Sequence, residues 1–378
     1  MGILGSLLDR LRGSPDARSG AEPPSATSAP AGRGPYREAA ASPVAPGRLV
    51  LERLPRFAGW ELVGTLDGDG EHYARYQIAP PAELTMGESP APPPRPEHAL
   101  ACFAVDPLAD EGWFAIAFDE ARIFMRLDHQ NLGRVIAIEA EGPIWWHLSE
   151  RPRGVTLDRL LARVRYGAPR PPIDVIAAAF ADFAAGLHAA HGKRDDDDRP
   201  LGFRYAGLRP SSLLLGLDGV GRVVDWGLAG LVRAHGPPDG DAETGDRGLD
   251  ARLREGLPYF SPEESLARDV DARADVFTLG AMLHEACTGT SPFGADTIVE
   301  TFQRLRHHAP PPLSTVVPGC PPDLDALAQR ALAKDPAARC SAGEIDEGLR
   351  RGFVGARGVD PRALIAGYVK EVLGAAEG

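Results

Sequence analysis

The sequence predicts an α+β fold: a strand-rich N-terminal part carrying one long helix, followed by a part that is mostly helical. Three observations carry this reading. Between residues 58 and 148, runs rich in β-branched and aromatic residues recur as "GWELVGT", "HYARYQIA", "ALACFAV", "GRVIAIEA" and "PIWWHL". From 156 to 352 the apolar residues follow helical spacing instead; "PPIDVIAAAFADFAAGLHAAH" sets Ile173, Ile176, Phe180 and Leu187 on one stripe. The chain has 378 residues, 43% of them hydrophobic, long enough for two modest domains or one large two-lobed one and apolar enough to bury a core. Strands first and helices after is the α+β pattern.

In chain order, residues 1–12 place Ile3, Leu7, Leu8 and Leu11 on one face of a short amphipathic helix, marginal by itself at that length. The opening "MGILGS" also fits an N-myristoylation spacing, with a docking helix or frayed terminus the expected role. Residues 13–48 are dominated by Ser, Pro, Ala and Gly and are expected to form a disordered linker, since they cannot bury enough surface to offset ordering. Residues 49–150 form the strand-rich part, interrupted at 79–97 by a Pro-rich surface loop. Its helix is "WFAIAFDEARIFMRL", inserted after the third strand. Residues 151–353 form the helical part. Residues 354–378 hold a last helix, with Leu364, Tyr368 and Val372 at i, i+4 and i+8, expected to pack on the helical part or on a partner.

Charge and cysteine content narrow the function. A net charge of -12 argues against a nucleic-acid or anionic-membrane binder, which would need a basic patch. The four cysteines, Cys102, Cys287, Cys320 and Cys340, lack the spacing of a zinc site or a disulfide scaffold and are expected to be reduced thiols in a cytoplasmic protein. No stretch reaches the roughly 20 apolar residues of a membrane span; the best candidate, "IDVIAAAFADFAAGLHAA", carries two aspartates and reads as a buried helix. His188 and His191 lie one helical turn apart, with a packing face the expected role, and "KRDDDD" at 193–198 reads as a solvated loop.

Five features then occur in order: "LRPSSLL", "DWG", "GLPYFSPEE", "DARADVFTLGAMLHEACTGTSPF" and "ALAKDPAAR". Together they resemble the eukaryotic-like serine/threonine protein kinases of bacteria, over roughly residues 58–352. The resemblance implies a two-lobed kinase fold. It also implies that Asp225, in Asp225-Trp226-Gly227, would hold the magnesium bridging the ATP phosphates. Glu263 would form a buried ion pair with Arg339, and Asp275 would hold the backbone of the catalytic loop. Glu120 would stand where the helix glutamate pairs with the phosphate-binding lysine, and Phe124, Tyr205 and Trp226 would build a hydrophobic column between the lobes.

The same resemblance exposes what is missing. With Pro210 aligned to the catalytic-loop proline, Tyr205, Ala206 and Gly207 fall on His-Arg-Asp, so the general base is a glycine. Ser212 replaces the asparagine that holds the second metal, and Ala206 replaces the arginine that would read a phosphate on the activation segment. Counting back from Asp106-Pro107 puts Phe103 where the lysine belongs, and a slip of one residue gives Cys102 or Ala104, none of which is lysine. In "LDGDGEHYARY", Gly68 and Gly70 match the first two glycines of the phosphate loop, but Tyr73 takes the third place, and a plain hairpin turn explains the stretch equally well.

Four losses spread over both lobes predict a degenerate, pseudokinase-like member with no catalytic residues, working as a regulatory or scaffolding module on another protein. Two alternatives stay open. One is a divergent ATP-dependent serine/threonine kinase or other transferase using Asp225; the other is an ATP sensor without hydrolysis, with Asp225 and Ala101, in the adenine-facing strand, as its support. No cofactor is required on the leading reading; ATP and magnesium belong to the alternatives.

Overall fold

The structure is a computed structural model that describes residues 54–57, 60–68, 73–80, 98–104, 117–118, 121–141, 144–205, 207–228, 231, 256–266, 268, 270–354 and 360–377. The N-terminal segment 1–12, the linker 13–48, most of the Pro-rich loop, Gly70, Glu120, Ala206 and most of the stretch between 229 and 255 lie outside the described residues.

The N-terminal lobe is a five-stranded antiparallel sheet of β1 (Glu61–Gly68), β2 (Tyr73–Ala79), β3 (His98–Ala104), β4 (Val135–Glu141) and β5 (Ile144–Glu150), in the order β1-β2-β3-β5-β4. Side chains alternate across a strand with period two, and this sheet uses the two faces differently. Ala74, Tyr76 and Ile78 of β2, Leu100 and Cys102 of β3, and Ile144, Trp146 and Leu148 of β5 pack with Leu54 and Phe57 as one core. The other face carries the odd-numbered residues. There Arg75 lies opposite Ala101, and Ala101 opposite His147, in one row across three strands.

The helix expected from "WFAIAFDEARIFMRL" differs from expectation in its described part. Residues 117, 118 and 121 are helical, but Arg122–Arg126 is a tighter three-residue-per-turn helix. Its closure is local, Leu127 N–H donating to Phe124 O at 3.1 Å. Ile123 and Met125 are exposed, and with no residue of the segment fully buried there is no stripe to extend a regular helix.

The C-terminal lobe opens with β6 (Gly154–Thr156), which joins β7 (Leu213–Gly216) and β8 (Gly221–Val223) in a three-stranded antiparallel sheet. Its helices are α1 (Leu157–Arg165), α2 (Ile173–His191), α3 (Arg273–Thr288), α4 (Ile298–His307), α5 (Leu313–Val316), α6 (Pro322–Ala331), α7 (Ala342–Leu349) and α8 (Pro361–Glu377). α2 is apolar enough in length and composition to cross a membrane, yet its residues from Val175 to Ala184 are all buried within the lobe. α7 starts with a reciprocal capping box between Ser341 and Glu344.

α8 packs against α2, β6 and β7. Its buried residues are Ile365, Val369 and Val372, not the expected stripe through Leu364 and Tyr368, which are half-buried. The helical repeat explains the correction: positions i, i+4 and i+7 stay within about 60° of one another, whereas i and i+8 differ by about 80°.

Among the described residues, the backbone joins the lobes at two places. Residues 151–153 link β5 to β6 directly. The segment before β4 also docks on β8: Val223 N–H donates to Asn131 O (2.9 Å), Gly133 N–H to Val223 O (2.8 Å) and Asn131 Nδ2 to Gly221 O (2.9 Å).

Candidate functional site

Asp225 follows β8 and sits between the lobes with φ of 64°, a left-handed conformation that Asp tolerates better than most residues. The backbone around it is fixed from below. Tyr205 donates its hydroxyl to Val224 O at 2.6 Å, with Asp225 O at 3.1 Å and Ser212 Oγ at 3.0 Å also in reach. Tyr205 N–H donates to Asp275 Oδ2 (2.8 Å), an oxygen that His191 Nε2 also contacts at 2.9 Å. Asp275, at the start of α3, thereby holds the loop that carries Tyr205. His191 is committed to this carboxylate, and His188 packs its ring beside Gly343 of α7; no group of three potential metal ligands exists among the described residues.

Trp226 is fully buried and donates its ring N–H to Val223 O at 3.1 Å. Phe124 lies 5.9 Å from it and Tyr205 4.9 Å, centroid to centroid, and Phe124 also stacks on Phe203 at 5.3 Å. The structure thus brings Phe124, Tyr205 and Trp226 into one aromatic stack. Gly227 has φ of 79°, and a side-chain carbon there would stand 2.7 Å from the Phe124 ring, so the glycine lets the stack close.

Farther down the lobe Arg339 grips Glu263 with two bonds of 2.5 and 2.7 Å, both residues being buried. The remaining Arg339 donors reach the carbonyls of Ala333 (2.8 Å) and Arg273 (2.9 Å), so the buried charges are paired and hydrogen-bonded.

The upper side of Asp225 is where expectation and structure part. Arg75 of β2 donates Nη2 to Asp225 Oδ2 at 2.5 Å, with side-chain exposures of only 3% and 5%. Arg151, from the link between lobes, reaches the same oxygen at 3.3 Å. Burial opposes ionisation of Asp225, but the charges of Arg75, Arg151 and Arg209 outweigh it and hold the carboxyl below the usual aspartate range. His147 completes the row: its Nε2 lies 2.9 Å from Trp226 O, a carbonyl that can only accept, so that nitrogen carries the proton. Burial pushes the imidazole pKa down and keeps the ring neutral.

The other expected positions contribute little polar chemistry. Phe103 is fully buried on the cleft face, opposite Tyr73 and Trp145. Ala101 is a small residue backing Arg75. Cys102 points to the opposite core, where burial pushes its thiol up to about 12. Gly68 is the last residue of β1, paired with Ala74, and so belongs to the ladder. Ser212 is buried with its hydroxyl against Tyr205. Gly207 has φ of 121°, a conformation that residues with a side chain rarely adopt, so the loop departs from the aspartate pattern in backbone as well as in side chain.

These residues fit a magnesium–nucleotide complex poorly: Asp225 Oδ1 makes no hydrogen bond among the described residues, but the groups around it are committed elsewhere. The bonded oxygen of Asp225 already faces two guanidiniums, the Ser212 hydroxyl is engaged, and Phe103 offers no charge to a phosphate. The sequence reading missed Arg75, Arg151 and His147. Their signal was present for Arg75: a charged residue inside a strand, between Ala74 and Tyr76 and in phase with the cleft face.

A protein kinase domain family model matches residues 102–348, more than half of the chain. Among curated relatives, the tyrosine-protein kinase MasK of Myxococcus xanthus is 30% identical over 60% of this chain and 33% of its own length. The serine/threonine-protein kinase PknB of Mycobacterium tuberculosis is 29% identical over 74% of this chain and 42% of its own. The chain therefore spans a third to under half the length of these two relatives. Among solved structures, the Mycobacterium tuberculosis PknI kinase domain superposes with a TM-score of 0.51 at 21% identity, covering 78% of this chain and 96% of that one, which supports the fold. With the two-lobed architecture, the ordered motifs and the family match in agreement, this chain belongs to the protein kinase domain family.

Proposed function

We propose that this chain is a pseudokinase, a kinase-fold module that binds another protein in a bacterial signalling pathway and does not transfer phosphate. The observation that carries the reading is the Arg75–Asp225–Arg151 cluster, in which the expected metal ligand is already neutralised by two tethered cations. Phosphoryl transfer depends on positioned charge, with metal ions neutralising the phosphates, a lysine holding them and an aspartate orienting the nucleophile. Here Gly207 cannot orient a hydroxyl and Phe103 cannot hold a phosphate. The scaffold is intact, with Glu263 gripped by Arg339 and Asp275 holding the Tyr205 loop, as expected of a domain kept for its surface. The test is transfer of labelled phosphate from magnesium–ATP to itself and to a generic protein substrate. Background transfer equal in the natural chain and in Asp225→Ala is the expected result; turnover abolished by Asp225→Ala would overturn the proposal.

A further inference from the structure

Of the 41 lysines and arginines in the chain, three are lysines: Lys193, Lys334 and Lys370. An arginine serves wherever only a fixed positive charge is needed, and it does not lose its proton; a lysine can. Lys334 follows α6 in the helical lobe and is half-buried. Among the described residues its nitrogen makes one hydrogen bond, to Leu305 O at 2.8 Å, and no ion pair. The neighbouring acids are committed elsewhere: Asp335 accepts from Ala337 N–H at 2.9 Å, and Glu263 is gripped by Arg339.

Two aromatic rings and a second cation surround the Lys334 nitrogen. It stands 4.2 Å from the centroid of the Phe293 ring and 5.1 Å from that of Phe277, rings that stack at 5.3 Å and are fully buried. The Arg339 guanidinium lies 4.9 Å from the same Phe277 ring, and its Nη2 reaches the Lys334 carbonyl at 3.3 Å. The rings and the Leu305 carbonyl hold the nitrogen in place, but burial and the charge of Arg339 oppose its ammonium form and push the pKa down to about 8. A desolvated lysine beside another cation is an amine activated as a nucleophile near neutral pH.

We propose that Lys334 is an acylation site of this chain, its Nζ taking the acyl group of an acyl phosphate. The neutral amine attacks the acyl carbon; a C–N bond forms, the C–O bond to phosphate breaks with its electron pair leaving on the phosphate, and one amine proton passes to solvent. The resulting amide keeps one N–H for the Leu305 carbonyl and removes the positive charge that faces Arg339. This reactivity is independent of whether the cleft transfers phosphate.

The experiment treats the full chain with acetyl phosphate at pH 7 and follows each lysine by peptide mass spectrometry, with half-buried Lys193 and exposed Lys370 as internal references. Lys334 should be acetylated at least tenfold faster than either, an order-of-magnitude expectation of roughly 10 for a desolvated amine, and its rate should level off above pH about 8. In the urea-unfolded chain the three rates should converge, because the rings and Arg339 no longer surround the amine. Equal or slower acetylation of Lys334 in the folded chain, or a preference that survives unfolding, overturns the proposal.

Discussion

Arg75 and Asp225 are buried to 3% and 5% side-chain exposure and bonded at 2.5 Å, so removing one partner strands the other in the interior. Breaking such a pair costs about 3–5 kcal/mol, whereas replacing both members with apolar residues of similar volume is often neutral. Arg75→Met is therefore expected to lose about 3 kcal/mol, since Arg151 at 3.3 Å compensates Asp225 in part. Asp225→Leu should lose at least as much, because it leaves Arg75 and Arg151 facing each other without the carboxylate. The double variant should recover most of the loss, giving a coupling of about 3 kcal/mol in a double-mutant cycle. Urea unfolding reads it: with a slope of about 3 kcal/mol/M, each single variant shifts the midpoint by about 1 M. The coupling has a defined acid limb. The Asp225 pKa is depressed in the folded state, so its contribution is complete above the ordinary value near 3.8 and is lost only as pH falls through the lower folded value. A coupling below about 0.5 kcal/mol at pH 7, the additivity error of independent sites, would refute the pairing and the functional reading built on it.

Three other outcomes follow from the same geometry. Combining Gly207→Asp with Phe103→Lys should leave phosphate transfer at background, because position 207 has φ of 121° and position 103 is fully buried; the double variant should also unfold earlier on heating, and restored turnover would show that the backbone is compatible with catalysis. Arg339→Gln should lower stability by about 3–5 kcal/mol by leaving buried Glu263 unpaired, measured by chemical unfolding, with a loss under about 1 kcal/mol contradicting the pairing. On α8, Val369→Asp should lower the thermal midpoint by several degrees while Leu364→Asp changes it little, since Val369 is fully buried and Leu364 only partly; equal effects would return the buried stripe to Leu364 and Tyr368.

The sequence by itself determined the class of the fold, because alternation and helical spacing are local properties of the chain. Each of the five strands overlaps its predicted run, and α2 spans the same residues that the apolar stripe marked out. The resemblance read from it also implies that Phe103, Gly207 and Ser212 stand where a lysine, a base and an amide are expected, since neighbouring motifs fix the count. Tertiary structure decided what surrounds Asp225. Arg75 and Asp225 stand 150 positions apart and Arg151 and Asp225 stand 74 apart. They meet only because the register of β2 on β3 turns Arg75 to the cleft and the link between lobes carries Arg151 past β8. A one-residue slip in that register would turn Arg75 toward Leu100 and Trp146 on the opposite, apolar face and Tyr76 away from it. Ion pairing in the interior depends on distance and on the exclusion of water, and both are properties of the folded chain.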